Sequence, residues 1–276
     1  MKKSSRFLTV FLLLAAVALT ACGGAKPTDS GKQPAAASGD GSLDRVKKAG
    51  KLVVAVDTTY PPMEYVDGNK IVGYDVDLAK AIGKKMGVEV EFQSVDWDGI
   101  LTGLLGKRYD VIISSMNITP ERSEKVNFVE YAKMSQVFVS KKGTDVKAEK
   151  DLSGKVVVVQ ADTTSHEWVE KLKAEKIKDI KEIRSFKGAT DAFLEVKNGR
   201  GDVIVIDEPV GLYYAKKDAA TFAVTGRAMD AEPIGVAIRK EDNDLKAAID
   251  KAVQDLRADG TYSKIATEWF GGELGK

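Results

Sequence analysis

Residues Tyr109 to Arg122 read YDVIISSMNITPER, and the rest of the chain can be laid out around them. Val111, Ile112 and Ile113 form a short apolar, β-branched run, the pattern of a buried central strand. The strand runs out into Ser114, Ser115, Met116 and Asn117. Thr119-Pro120-Glu121 then predicts a helix start. Thr is a good N-cap, and Pro at the first helical position gives up no hydrogen bond that the helix needs. Hydroxyls, free backbone N–H groups and the guanidinium of Arg122 would meet at a strand end beside a helix N-terminus, a place suited to small anions. An Arg fork pairs with a carboxylate in bidentate fashion. From these residues alone, a plain buried strand with an ordinary cap and a surface Arg reads equally well.

Upstream, KLVVAV (Lys51 to Val56) predicts a strand ending in Asp57-Thr58-Thr59-Tyr60-Pro61-Pro62. Apolar residues at Val76, Leu78, Ala79 and Ile82 place an amphipathic helix over Gly73 to Met86, closed by Gly87. Val88 to Phe92 is expected as a strand and Trp97 to Leu105 as a short helix. Downstream the pattern recurs. KVVVV (Lys155 to Val159) ends in Gln160-Ala161-Asp162-Thr163-Thr164, and helical His166 to Ala174, strand-like Ile180 to Ile183 and helical Ala189 to Val196 follow. GDVIVIDEP (Gly201 to Pro209) then matches YDVIISSMN (Tyr109 to Asn117). Each half thus has a strand leading into an Asp-Thr-Thr and, later, a strand opening with Asp-Val-Ile, an internal repeat of two similar units. Alternating strands and helices imply mostly parallel sheets, whose ligands collect at the carboxyl ends of the strands. The residues expected there are Asp57 to Tyr60, Ser114 to Asn117, Gln160 to Thr164 and Asp207, drawn from both halves. Two lobes facing each other across a ligand are the simplest arrangement.

The chain of 276 residues opens differently. Lys2, Lys3 and Arg6 precede an apolar run from Phe7 to Leu19, and Leu19-Thr20-Ala21-Cys22 follows, which reads as a secretory signal over residues 1–21. LTAC before Gly23-Gly24 resembles the bacterial lipobox, which implies that Cys22 is lipidated and becomes the first residue. Residues 22–42 are rich in Gly, Ala, Ser, Pro, Lys and Asp and read as a flexible tether. The leader holds three basic residues and no acid, so 39 basic residues face 41 acidic ones after it. Such a balance argues for no nucleic-acid partner. Cys22 and His166 are the sole residues of their kinds. They leave nothing to build a disulfide framework, a metal cluster or a Ser-His-Asp triad.

Six stretches together resemble the extracytoplasmic polar-amino-acid binding proteins of bacterial ABC importers, family 3 of the extracellular solute-binding proteins. They are VDTTYPPMEY, GYDVDLAKAIGKKMGVEVEF, DWDGILTGLLGKRYDVIISSMNITPER, VVQADTT, DVIVIDEP and DGTYSKIATEWFG, spread from about Leu43 to Gly271. The resemblance implies a periplasmic-binding-protein-like α/β fold of two lobes, with hinge strands near residues 136–140 and 233–238. Lobe one would comprise 43–137 and the return segment 234–276, and lobe two 138–233. Arg122 would bind the ligand's α-carboxylate with Ser115 and Thr164. Asp207 would take the α-ammonium, with Ser114 contributing oxygen. Tyr60 and Trp97 would wall the side chain, while Asp57, Gln160 and Asn117 would read its polar end. This chain departs from the family pattern at Asn117, where Ser or Thr is common, at Met63 (Phe) and at Asp162 (Gly).

The implied activity is non-enzymatic: a monomeric receptor, anchored through Cys22 to the outer face of the cytoplasmic membrane, delivers an amino acid to a permease without any cofactor. Asp57 and the two aromatics suit a basic side chain, arginine or lysine first. Glutamine is an alternative. So is a dehydratase-like enzyme on the same scaffold, for which Glu64 or Asp57 would be the general acid.

Overall fold

The computed structural model describes residues 39–272 and 274; the leader, Cys22 and most of the tether lie outside them. A short helix α1 (Ser42–Ala49) leads into β1 (Lys51–Val56). Pro61-Pro62 lies in the turn that joins the first two strands of a small meander, β2 (Thr59–Tyr60), β3 (Glu64–Asp67) and β4 (Lys70–Val72). Then come α2 (Tyr74–Met86), β5 (Glu89–Ser94), α3 (Trp97–Leu105), β6 (Val111–Ile112) and α4 (Pro120–Lys125). At the start of α4 the Thr119 hydroxyl accepts the Arg122 N–H at 3.2 Å, the cap expected from the sequence. At the end of α2 Gly87 takes a φ of 72°, the left-handed turn that glycine closes without a side-chain clash.

A strand of sixteen residues, β7 (Val126–Lys141), carries the chain onward to β8 (Val156–Gln160), α5 (Thr164–Glu175), β9 (Glu182–Phe186), α6 (Ala189–Lys197), β10 (Val203–Asp207) and α7 (Glu208–Lys217). An eighteen-residue strand, β11 (Phe222–Arg239), returns to α8 (Asn243–Ala258) and α9 (Thr261–Phe270). Helix α5 starts two residues before the expected His166, because Thr163 caps it and accepts the His166 N–H. Strand β9 sits later than the expected 180–183, since its register on β8 begins at Glu182 opposite Val156.

The other eight strands form one sheet in the order β5-β1-β6-β11-β7-β10-β8-β9. Strand β1 runs parallel to β5 and β6, and β8 runs parallel to β9 and β10. The repeat in the sequence therefore appears twice in space, as two parallel trios with the first strand of each at the centre. Between them lies the antiparallel pair β7–β11, whose register shifts four times between Val224 and Gly235. The stretches expected as hinges, 136–140 and 233–238, lie inside these two strands.

The valine run of β8 is buried on both faces, as parallel strands covered by helices must be. Val157 and Val159 pack with Val169 and Leu172 of α5, while Val158 joins Ala189, Phe193 and Val196 of α6 in the main core. In the first half α2, α8 and α9 contribute to that main core, and Ile100 and Leu104 of α3 pack with Ala55 and Ile112 on the other face. Arg239, at the end of β11, is fully buried. It pairs with Asp242 and donates to the carbonyls of Leu104 and Tyr109.

Candidate amino-acid-binding site

The loops at the carboxyl ends of β1, β6, β8 and β10 converge on a small cavity. Asp57 directly follows β1. Its Oδ1 accepts the Thr59 N–H at 3.0 Å and hydroxyl at 2.8 Å, and its Oδ2 accepts Gln160 Nε2 at 2.6 Å. Strand β2 brings Tyr60, whose hydroxyl donates to Asp207 Oδ2 at 2.8 Å. Asp207 is the last residue of β10, where the chain turns into α7. The Ser114 hydroxyl accepts the Asp57 N–H at 3.0 Å and donates to Glu64 Oε1 at 2.6 Å. Ser115 gives both its N–H, at 2.7 Å, and its hydroxyl, at 2.9 Å, to Asp75 Oδ2. Thr164 donates to Asn117 Oδ1 at 3.2 Å, joining the second half to the first.

Nine of the ten residues singled out in the sequence line this cavity: Asp57, Tyr60, Trp97, Ser114, Ser115, Asn117, Gln160, Thr164 and Asp207. Arg122 stands beside the lining rather than in it. Its guanidinium donates to the carbonyls of Asn117 at 3.1 Å and Asp162 at 3.3 Å, and lies 5.4 Å from the centre of the Trp97 ring. Trp97 Nε1 donates to the same Asp162 carbonyl at 2.9 Å. Asp162 has a φ of 58°, so an aspartate here holds the left-handed backbone that glycine adopts without penalty. Its main chain thus fastens one half of the molecule to two side chains of the other. Met63 is fully buried in the main core, and its carbonyl lies so close to Gly73 that a Cβ there would fall 2.1 Å from it.

The cavity also takes in Glu64, Gln136, Thr163 and Ser165. Gln136 of β7 donates to Thr164 Oγ1 at 2.6 Å and accepts the Ser165 hydroxyl at 2.7 Å. Thr163 and Ser165 adjoin a residue already selected, and the Thr-Thr-Ser run is the signal that could have found them. Gln136 carries no local signature, and only the path of β7 through the cleft brings it there. His166, in the first turn of α5, is half-buried and its Nδ1 accepts the Asp162 N–H at 3.3 Å.

Three acids line the cavity and no Lys, Arg or His does. Burial pushes Asp207 up to about 7, although the Tyr60 hydroxyl works against the shift. Burial likewise raises Asp57, opposed by Gln160 and Thr59. Glu64 is raised well above the ordinary range by burial and by the neighbouring Asp75. Asp207 Oδ1 is buried with no hydrogen-bond partner among the described residues. Such an oxygen is costly unless a donor meets it. The arrangement suits a small ligand with a cationic end at Asp207 and a second polar group at Asp57 and Gln160. Among the described residues no group of side chains could hold a metal ion.

Comparison with known proteins agrees with this geometry. Residues 52–272 match the family described as bacterial extracellular solute-binding proteins, family 3. The chain is 33% identical to the L-cystine-binding protein TcyJ of Escherichia coli over 86% of this chain and 89% of that one. It is also 33% identical to the arginine-binding extracellular protein ArtP of Bacillus subtilis, over 96% and 98% of the two chains. Among solved structures, an ancestral arginine-binding protein bound to arginine superposes with a TM-score of 0.77 at 42% identity, covering 80% of this chain and 99% of that one.

Proposed function

Because the chain belongs to the bacterial extracellular solute-binding proteins of family 3, we propose that it captures a basic L-amino acid, arginine or lysine first, and delivers it to the permease of an ABC importer. The charge of the cleft carries this reading. Asp57, Glu64 and Asp207 line the cavity and no cation does, while Glu232, which accepts from Asn117 at 3.5 Å, stands beside the cleft as Arg122 does. That excess of acid suits a ligand with two cationic groups. A zwitterion such as glutamine or cystine would leave one buried anion without a partner, which is unfavourable.

The α-ammonium would sit on Asp207 Oδ1, and the cationic side chain would reach Asp57 between Tyr60 and Trp97. Arg122 would turn from the two carbonyls it now holds to the α-carboxylate, a stronger, charge-assisted partner. The dehydratase alternative needs a proton free to reach the ligand. Glu64 is tied to the Ser114 hydroxyl, and Asp57 to Gln160 and Thr59. Both arrangements favour a receptor over an enzyme.

A thermal-shift panel of the twenty amino acids tests the ligand, because binding to the native state raises its stability. Arginine or lysine should give the largest shift, and a larger shift with glutamine or cystine would reject the cationic reading. Recovering the ligand unchanged after incubation separates receptor from enzyme. Anchoring is part of the same proposal and rests on the LTAC motif, since no helix among the described residues is long and apolar enough to cross a membrane. Cys22→Ala should release the protein from membranes in its own host. Full retention would reject the lipid anchor.

A further inference from the structure

At the floor of the cleft sit two carboxyl groups, Glu64 in the lining and Asp75 behind it. Glu64 opens β3 and Asp75 sits in the first turn of α2; both are wholly buried. Each bears on the other's charge, and neither is in an ion pair among the described residues. Two bare negative charges in such a place would repel each other and lose their hydration. The donors around them are fully accounted for. Asp75 Oδ2 accepts the Ser115 N–H, the Ser115 hydroxyl and the Tyr131 hydroxyl, the last at 3.0 Å. Glu64 Oε1 accepts the Ser114 hydroxyl. Glu64 Oε2 and Asp75 Oδ1 are left with no donor among the described residues. One proton between these two oxygens completes the set. Asp75, with three donors on one oxygen, is the better anion, so the proton belongs to Glu64.

We propose that Glu64 and Asp75 are positioning residues for the ligand's ammonium end, a carboxylic acid–carboxylate pair whose single proton keeps the hydroxyls of Ser114 and Ser115 pointing away from the cleft. Both serines then present lone pairs, not protons, to the cavity. That polarity repels a carboxylate and accepts an ammonium, so the ligand is oriented with its cationic group toward this floor. The inference rests on the amino-acid-receptor reading for the ligand, but the shared proton does not. The groups facing the pair are Asp57 from the end of β1, Tyr60 of β2, Tyr74 of α2 and Tyr131 of β7. Arg257 of α8 spends its charge at 2.5 Å on the Tyr131 carbonyl and over the Tyr262 ring.

Two variants test it. Glu64→Gln replaces the acid proton by an amide donor of the same shape, and Glu64→Ala frees the Ser114 hydroxyl. Burial and Asp75 raise the Glu64 value above its unfolded one, so its contribution to stability is full at low pH and is lost as pH rises from about 4.5 toward the folded value. Denaturant titrations of ligand-free protein between about pH 5 and pH 8 should show wild type losing stability relative to Glu64→Gln, by up to about tenfold in the unfolding constant per pH unit. The infrared difference spectrum of the two at neutral pH should contain one protonated carboxyl. Parallel pH slopes, or no such band, would overturn the shared proton. With arginine as probe, Glu64→Gln should bind within about threefold of wild type, and folded Glu64→Ala at least tenfold more weakly. Equal binding by Glu64→Ala would overturn the positioning role. If wild type does not bind arginine, the proposed ligand fails while the slope and the band still decide the proton.

Discussion

Asp207 couples ligand binding to pH in a way that can be worked through. Its carboxyl is 4% exposed, its Oδ1 has no partner among the described residues, and burial lifts it to about 7. An ammonium ligand needs the ionised form. Below that value the free protein holds a proton that binding must expel, so apparent affinity should fall about tenfold per pH unit. At pH 5 the loss is about two units, near 2.7 kcal/mol or a hundredfold. Stability of the free protein runs the other way. The folded value lies above the unfolded one near 3.8, so this contribution is full below about pH 4 and is lost as pH rises to about 7. Calorimetry with arginine between about pH 8.5 and 5, in buffers of differing ionisation enthalpy, should show affinity weakening as pH falls below about 7 and release of about one proton at pH 6. Tyr60→Phe removes the hydroxyl that favours the charged form and should move the break to higher pH. Affinity that stays flat across the range, with no proton released, would refute the argument.

Asp57→Asn keeps the shape at the end of β1 and removes a charge, so arginine or lysine affinity should drop by about 2–4 kcal/mol while glutamine affinity, if measurable, changes little; equal losses for both would reject Asp57 as the side-chain partner. Arg122→Ala should weaken every amino acid by about 3–5 kcal/mol, more than a hundredfold, because it removes the partner of the shared carboxylate. Calorimetry on folded variant checks this, and a loss under tenfold would place the carboxylate elsewhere. Arg239→Met leaves buried Asp242 with only the half-exposed Arg45 at 3.4 Å and should lower stability to denaturant by about 3 kcal/mol with ligand affinity unchanged.

Much of this site could be read locally. Asp57, Gln160 and Asp207 each stand at the end of an apolar strand, and a strand end in a parallel sheet is where ligands collect. Ser114 and Ser115 follow by the same logic. What the chain's local pattern could not carry was tertiary. Gln136 lies mid-strand between Ser135 and Val137, and nothing adjacent marks it as facing the cleft. Glu64 and Asp75 meet only because β3 and β4 fold back onto the start of α2. The long strands β7 and β11 entered only as the short hinges that the resemblance implies, and in β11 Gly226, Pro233 and Gly235 interrupt any alternation. Their pairing with each other supplies the continuity. The free-standing guanidinium expected in the cleft is instead held by two carbonyls, a competition that no spacing of residues encodes.

The sheet order also fixes the sequence in which the chain can finish folding as it leaves the ribosome. Strands β8, β9 and β10 pair with one another within residues 156–207, so that trio is complete soon after it is made. The trio begun earlier is not. Strand β6 at Val111 and Ile112 finds its second neighbour only when Ile238 and Ala237 emerge, and α8 and α9 must still cover it. The half of the protein made first is therefore the half completed last. Until the final forty residues appear, its sheet exposes an unpaired edge of the kind that other chains can join.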